Sequence, residues 1–293
     1  MSLKKDKSKG KNSVETKAES LKLGNLESIR LDIDITDTLI HKYLIDRANL
    51  VQKVAKAKKY GKGRKIEMYR PTREHIILNR RLLEHQGLFP IESVISVWSE
   101  LFSGYRSLQG QLKVSHLKSD ELSVRRHFGV STRYNPLKDY RGVIDSLLKE
   151  ESDVAALPFP SKNNKWCTEL LKLKTINIVG SAPFNLSKQP NLLLLSKQKL
   201  EYSEANIVFM ILKVRNDILN KVLTYLIDNS FVCNQHYSLD KDNSYILLST
   251  KVNSEKKINE RINILRNERT FKVKLLPKVL GGYSVFKKDI LNA

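Results

Sequence analysis

The spacing of apolar side chains changes character along this chain. From about Leu26 to Lys58 they recur at every third or fourth position, through Ile33, Ile40, Leu44, Val51 and Val54, with Thr36 in the same stripe. That period predicts one long amphipathic helix. Residues 60–69 form a polar stretch with two glycines. Pro71 suits the first turn of a second helix, which carries Ile76, Ile77, Leu82 and Leu83 and stops at Gly87. Pro90 opens a third, with a stripe of Ile91, Val94, Trp98, Leu101, Tyr105, Leu108 and Leu112. Residues 25–115 therefore read as three helices, one long and two shorter.

Past about residue 118, short β-type runs alternate with helical ones: DVAALPF, WCTELLKL, INIVG and NLLLLS. This predicts a small α/β unit. The last stretch is plainer. ANIVFMILKV reads as a strand and NDILNKVLTYLIDN as a helix; SFVCNQHYSL and SYILLSTKV read as a hairpin closed by DKDN. KKINERINILRNE is a helix and TFKVKLLPKV a last strand, so the order is βαββαβ, a ferredoxin-like plan. Residues 1–22 are rich in Lys, Ser and Asn and read as a disordered basic tail.

The chain has 293 residues, enough for about two domains. It carries 52 Lys and Arg against 31 Asp and Glu, a net charge of +21. The lysines are spread along the whole chain, and there is no zinc-finger spacing or RNA-binding aromatic signature, so nucleic acid is not the expected partner. A basic protein does suit an anionic substrate. Cys167 and Cys233 are too few for a disulfide framework or metal cluster and read as reduced and structural. The N-terminus lacks an apolar signal core, and no apolar run approaches the roughly 20 residues that span a membrane, so a cytoplasmic protein is expected.

Two cations break the first apolar stripe. Arg47 and Lys58 are 11 residues apart. They lie within about 20° of one helix face and about 16 Å apart along it. Cations on a buried face are costly unless an anion meets them, either a buried carboxylate or a small ligand. Arg30 is a third cation, 28 residues before Lys58, about 42 Å away on one straight helix. It shares a small ligand with the other two only if a second chain lays its helix antiparallel alongside. Glu74 falls in the first turn of the second helix, where a carboxylate suits the dipole. Gln109 is placed near the end of the third helix, inward beside Leu108 and Leu112.

The runs IRLDIDITDTLIHKYLIDRANLVQKVAKAK, YRPTREHIILNRRLL and VWSELFSGYRSLQ together resemble the all-helical class of chorismate mutase, over roughly residues 25–112. The resemblance implies a fold of α plus α/β type: a three-helix mutase domain over 23–115 that intertwines with a second copy, then the α/β remainder. It implies a pericyclic rearrangement of chorismate to prephenate in aromatic amino acid biosynthesis, with no cofactor and no metal. Arg47 falls on the arginine that grips a substrate carboxylate. Lys58 and Gln109 fall on the residues that meet the ether oxygen, and Arg30 on the arginine contributed by the partner chain of a homodimer. Glu74 falls on an acidic position beside the substrate. An Arg–Glu pair that touches a carboxylate and the ring hydroxyl in some members aligns with Ile77 and Leu78, and a small serine position with Tyr105.

KVLGGY at residues 278–283 looks like the final strand motif of the ACT domain in prephenate dehydratases, and VIDSLLKEESDVAALPF resembles a helix–strand segment of the same enzymes. This implies a shortened dehydratase-like α/β region over 118–200 and an ACT-like domain over 203–290. The Thr-Arg-Phe motif of a dehydratase does not follow AALPF, and Asn234, Gln235 and His236 stand near the place of the ACT effector motif. Ser131-Thr132-Arg133-Tyr134 precedes that strand and reads as a coincidence. A relic without dehydratase activity is expected. The rival readings are a bifunctional mutase/dehydratase, a non-catalytic regulator with the mutase-like dimer fold, and a basic nucleic-acid-binding protein.

Overall fold

A computed structural model describes residues 9–60, 68–184, 189–268, 270–271 and 274–286, with side chains described from residue 25 and not at 58–60. The chain divides into two compact units, Met1–Arg64 and Lys65–Ala293.

Among its described residues the first unit is a single helix, α1 (Lys9–Tyr60). It begins earlier than the apolar period alone predicts. Thr36 and Thr38 sit inside it with their hydroxyls donating to the carbonyls of Asp32 and Asp34 at 2.8 and 2.9 Å. Its apolar stripe, including Ile33, Ile40, Leu44 and Val54, is exposed in the single chain.

The second unit opens with α2 (Pro71–Glu84) and α3 (Ile91–Ser107). Pro71 takes the first helical position, where its missing N–H costs nothing. α3 stops short of the expected end at Leu112. The N–H groups of Gln109 and Gly110 both bond to the Arg106 carbonyl, and the chain turns there. Leu112 then packs under a sheet rather than on a helix.

The sheet has nine strands in the order β2-β1-β3-β5-β4-β9-β6-β8-β7. β1 (Lys113–Leu117), β2 (Arg133–Leu137) and β3 (Val154–Pro158) are parallel and are linked through α4 (Glu121–Phe128) and α5 (Tyr140–Leu148). After the short α6 (Trp166–Glu169), β4 (Asn177–Ala182) and β5 (Leu192–Ser196) close this part antiparallel. The rest follows the expected βαββαβ order: β6 (Asn206–Arg215), α7 (Leu219–Asp228), β7 (Val232–Ser238), β8 (Asn243–Val252), α8 (Glu255–Arg266) and β9 (Lys278–Ser284). The hairpin turn is held by Asp240 Oδ1, which accepts from the N–H groups of Asp242 and Asn243 at 2.8 and 2.7 Å.

The last strand lies later than TFKVKLLPKV suggests. It starts after Pro277, which has no N–H to give a ladder. Residues 269, 272 and 273 lie outside the described residues. Gly281 has φ +99°, and a Cβ there would stand 2.1 Å from the Ile178 carbonyl oxygen; one on Gly282 would stand 2.1 Å from that of Ile207. The glycine pair lets β9 lie between β4 and β6, and so makes one sheet of two halves.

Both sheet faces are covered. Phe209 and Ile211 of β6 join α5 and α6 in one core, while Val208, Met210 and Leu212 join α7 and α8 in another. A continuous apolar strand is what burial on two faces requires. α4 packs Val124 and Phe128 on β1, β3 and β5. α2 and α3 share Leu78, Leu82, Ile95 and Phe102, with Phe184 and Phe286 packed against them.

Candidate active site

Arg30, Arg47 and Lys58 all stand on α1, with no break between them. Arg30 is exposed and Arg47 is partly buried; the Lys58 side chain lies outside the described residues. On a straight helix Arg30 and Lys58 are about 42 Å apart, as the rise per residue requires. The three cations of one chain thus cannot meet one small molecule.

Glu74 and Gln109 belong to the second unit. Gln109 sits in the turn after α3, partly buried, rather than on the helix. Glu74 is 7% exposed and meets Arg106 of α3, whose Nη1 lies 2.6 Å from Glu74 Oε1. Arg106 is 4% exposed. Its Nη2 donates to the Phe128 carbonyl at 3.0 Å, at the end of α4. The guanidinium carbon is 5.8 Å from the Tyr69 ring centroid and 5.6 Å from that of Phe128.

Around this pair the groups are buried and neutral. Tyr69 shares a 3.2 Å hydrogen bond with His127 Nε2. Burial and the neighbouring Glu74 carboxylate push the Tyr69 hydroxyl well above its ordinary range. Burial, helped by the Arg106 charge, depresses His127 to about 3. His75, beside Glu74 in sequence, is depressed to about 4 by burial, with its hydrogen bond to the Val285 backbone working the other way. Charge in this region is therefore concentrated on Glu74 and Arg106.

Sequence reasoning overlooked Arg106, Tyr69 and His127. The signal for Arg106 was its place on the inward face of α3, four residues after the buried Phe102. Ile77 and Leu78 pack in the apolar cluster between α2 and α3, and Tyr105 is partly exposed. Thr132 is buried and its hydroxyl donates to the Phe128 carbonyl at 2.9 Å, a structural bond. Among the described residues, no group of three His, Cys, Asp or Glu side chains could hold a metal. No helix among them is long and apolar enough to cross a membrane.

A concavity of about 480 Å³ opens beside β7 and β8, lined by Lys162, Lys165, Asn216, His236 and Ser244 among others. Lys162 and Lys165 precede α6, and His236 is on β7.

Residues 29–110 match the family model for chorismate mutase type II. The bifunctional chorismate mutase/prephenate dehydratase of Aquifex aeolicus is 26% identical over 141 residues, covering 45% of this chain and 38% of that protein. That of Pseudomonas aeruginosa is 28% identical over 131 residues, covering 43% and 35%. The matched stretches thus span under two fifths of these relatives. Solved structures of prephenate dehydratase from Streptococcus mutans and Staphylococcus aureus are 12% and 10% identical, with TM-scores of 0.43 and 0.43. They cover 60% and 59% of this chain, and 99% and 100% of their own. The segment of this chain that is similar to type II chorismate mutase, residues 29–110, holds all five residues singled out from the sequence: Arg30, Arg47, Lys58, Glu74 and Gln109.

Proposed function

We propose that this chain is a chorismate mutase, rearranging chorismate to prephenate in the biosynthesis of phenylalanine and tyrosine. The observation that carries the proposal is the family match over residues 29–110, with Arg30, Arg47 and Lys58 spaced along one unbroken helix. Chorismate is a dianion and its rearrangement is pericyclic. It needs a fixed reactive conformer and positive potential where the breaking C–O bond gains charge. Arg47 grips a carboxylate through its fork, and Lys58 with Gln109 meets the ether oxygen. Glu74 stands beside the substrate. Arg30 comes from the second copy in a homodimer, for which the exposed apolar stripe of α1 offers a surface. No cofactor takes part. The mutase segment (23–115), shortened dehydratase-like region (118–200) and ACT-like domain (203–290) belong to the same proposal, as does a cytoplasmic setting.

The purified chain should convert chorismate to prephenate, and Arg47→Ala should abolish this with the fold intact. Absence of turnover in the wild type, under conditions where it dimerises, sinks the enzyme reading. Prephenate should remain unchanged, because the Thr132 hydroxyl is tied to the Phe128 carbonyl. Release of phenylpyruvate would instead support the bifunctional alternative.

The concavity beside β7 favours one second reading, a regulator that binds a small acid through the ACT-like unit without catalysis. That reading expects calorimetric binding of phenylalanine or prephenate that is lost in Lys165→Glu, with no turnover of chorismate.

A further inference from the structure

The concavity beside β7 and β8 is walled by segments far apart in sequence. Lys162 and Lys165 come from the loop between β3 and α6, His236 from β7, and Asn216 from the turn after β6. The loop is held in place. Ser161 and Asn164 exchange backbone hydrogen bonds at 3.0 and 3.3 Å, and the buried Trp166 donates its Nε1–H to the Pro158 carbonyl at 2.8 Å. The opposite wall is held too: Ser244 Oγ donates to Asn216 Oδ1 at 2.7 Å, and Asn216 Nδ2 donates to the Lys241 carbonyl at 2.9 Å. A volume of about 480 Å³ between such walls suits a small organic molecule.

The charge facing this space has one sign. The side chains of Lys162, Lys165 and His236 make no hydrogen bond or ion pair among the described residues. No carboxylate stands among the lining residues. Two acids close to them in sequence are engaged elsewhere, Asp217 with Arg215 at 2.6 Å and Asp240 with the N–H groups of Asp242 and Asn243. A single exposed lysine is usually just solvated. These differ because they converge with a histidine on one concavity that holds no acid, whereas Lys172 meets Glu169 at 3.4 Å and Lys197 meets Glu150 at 2.9 Å.

Such a surface distinguishes between kinds of acid. An amino acid brings an ammonium along with its carboxylate, and that ammonium would face cations with no carboxylate to receive it. An acid without an ammonium meets only opposite charge, and one with two carboxylates engages both lysines. Leu219 offers an apolar contact for the body of the ligand.

We propose that this concavity binds a small dicarboxylic acid that carries no ammonium group, held by Lys162 and Lys165 with His236 as a third donor. This deepens the binding reading of the ACT-like unit: of the two ligands that reading admits, prephenate is of this class and phenylalanine is not. It holds whether or not the chain also rearranges chorismate.

The test is calorimetric titration of the full chain carrying Arg47→Ala, so that an anion held on α1 does not contribute, with phenylsuccinate and with phenylalanine as probes. Phenylsuccinate should bind once per chain, at least about tenfold more tightly than phenylalanine. Lys162→Glu and Lys165→Glu, added singly, should each weaken it about tenfold or more, since each turns an attraction into a repulsion. Lys172→Glu changes the net charge equally but lies outside the concavity, so it should leave affinity within about twofold. All three lysines are exposed, so the fold should tolerate each change. Equal losses in Lys172→Glu and Lys165→Glu would reduce the effect to overall charge and overturn the inference. Phenylalanine binding as tightly as phenylsuccinate would overturn it while leaving the broader regulator reading standing, and binding of neither would overturn both. In a chain that keeps Arg47, Lys165→Glu should turn over chorismate as wild type does, so a wild type without turnover sinks the mutase reading and leaves this binding result untouched.

Discussion

The ring of His75 lies 4.3 Å from that of Phe286, centroid to centroid. The contact joins α2 to the residues just after β9, so the end of the last strand packs against the helix that bears Glu74. His75 also makes a hydrogen bond to the Val285 backbone. This tie exists because β9 runs along β6 as far as Ser284.

Acid should loosen the second unit before carboxylates matter. His75 and His127 titrate at about 4 and about 3 in the folded chain, both depressed by burial, against 6.5 when exposed. The unfolded chain therefore binds these protons first, and stability present above about pH 6.5 is lost as pH falls toward 4. The slope is about 1.4 kcal/mol per pH unit for each fully differing histidine. Melting temperatures from pH 7 to about 4.5 should fall steadily, and His127→Gln should flatten that decline. A flat wild-type profile would show that the two imidazoles are not buried neutral.

Gly281→Ala should damage the fold. Its φ of +99° is unfavourable for any L side chain, and the added Cβ would meet the Ile178 carbonyl oxygen at 2.1 Å. Because the clash is with backbone, no rotamer relieves it. The expected loss is about 3 kcal/mol or more in denaturant unfolding. A midpoint equal to wild type would mean that β9 does not approach β4 as described.

Lys278→Met should cost about 1–3 kcal/mol. The Lys278 ammonium donates to the carbonyls of Leu170, Leu171 and Leu173 at 2.7, 2.8 and 3.0 Å. Methionine keeps the stem but leaves three acceptors without their donor. Chemical denaturation is the measurement, and a loss under about 0.3 kcal/mol would show that water replaces the ammonium freely.

The shared-site proposal makes a quantitative forecast. Arg30→Ala and Arg47→Ala homodimers should each be inactive. In a mixed dimer one site keeps both arginines and the other has neither. Refolding the two variants together at equal amounts makes about half of all dimers mixed, so about a quarter of wild-type activity should return. No recovery on mixing would place Arg30 outside the site.

The sequence carried the local structure well where period and burial agree. ANIVFMILKV, SYILLSTKV and NLLLLS are apolar runs of strand length, and they are β6, β8 and β5. β1 and β2 were not legible. KVSHL and RYNPL are short and half polar; RYNPL even carries a proline, which an edge strand tolerates. Their strand character comes from the pairing of Lys113–Leu117 with Arg133–Leu137. The end of α3 failed for a related reason. Leu108 and Leu112 continue the helical stripe in sequence, but Leu112 has a better place under the sheet, and only the fold offers it.

For the site the division is similar. The sequence by itself determined the cations of α1: their register follows from residue spacing, and the rise of a helix separates Arg30 from Lys58 by more than any small ligand spans. It also determined that Glu74 opens α2, since Pro71 sets that start. What only the tertiary structure decided is the company Glu74 keeps. Arg106 is 32 residues away in sequence and His127 further still. They converge because α2, α3 and the end of α4 pack together, and burial there makes a charge affordable only when its opposite stands within hydrogen-bond reach.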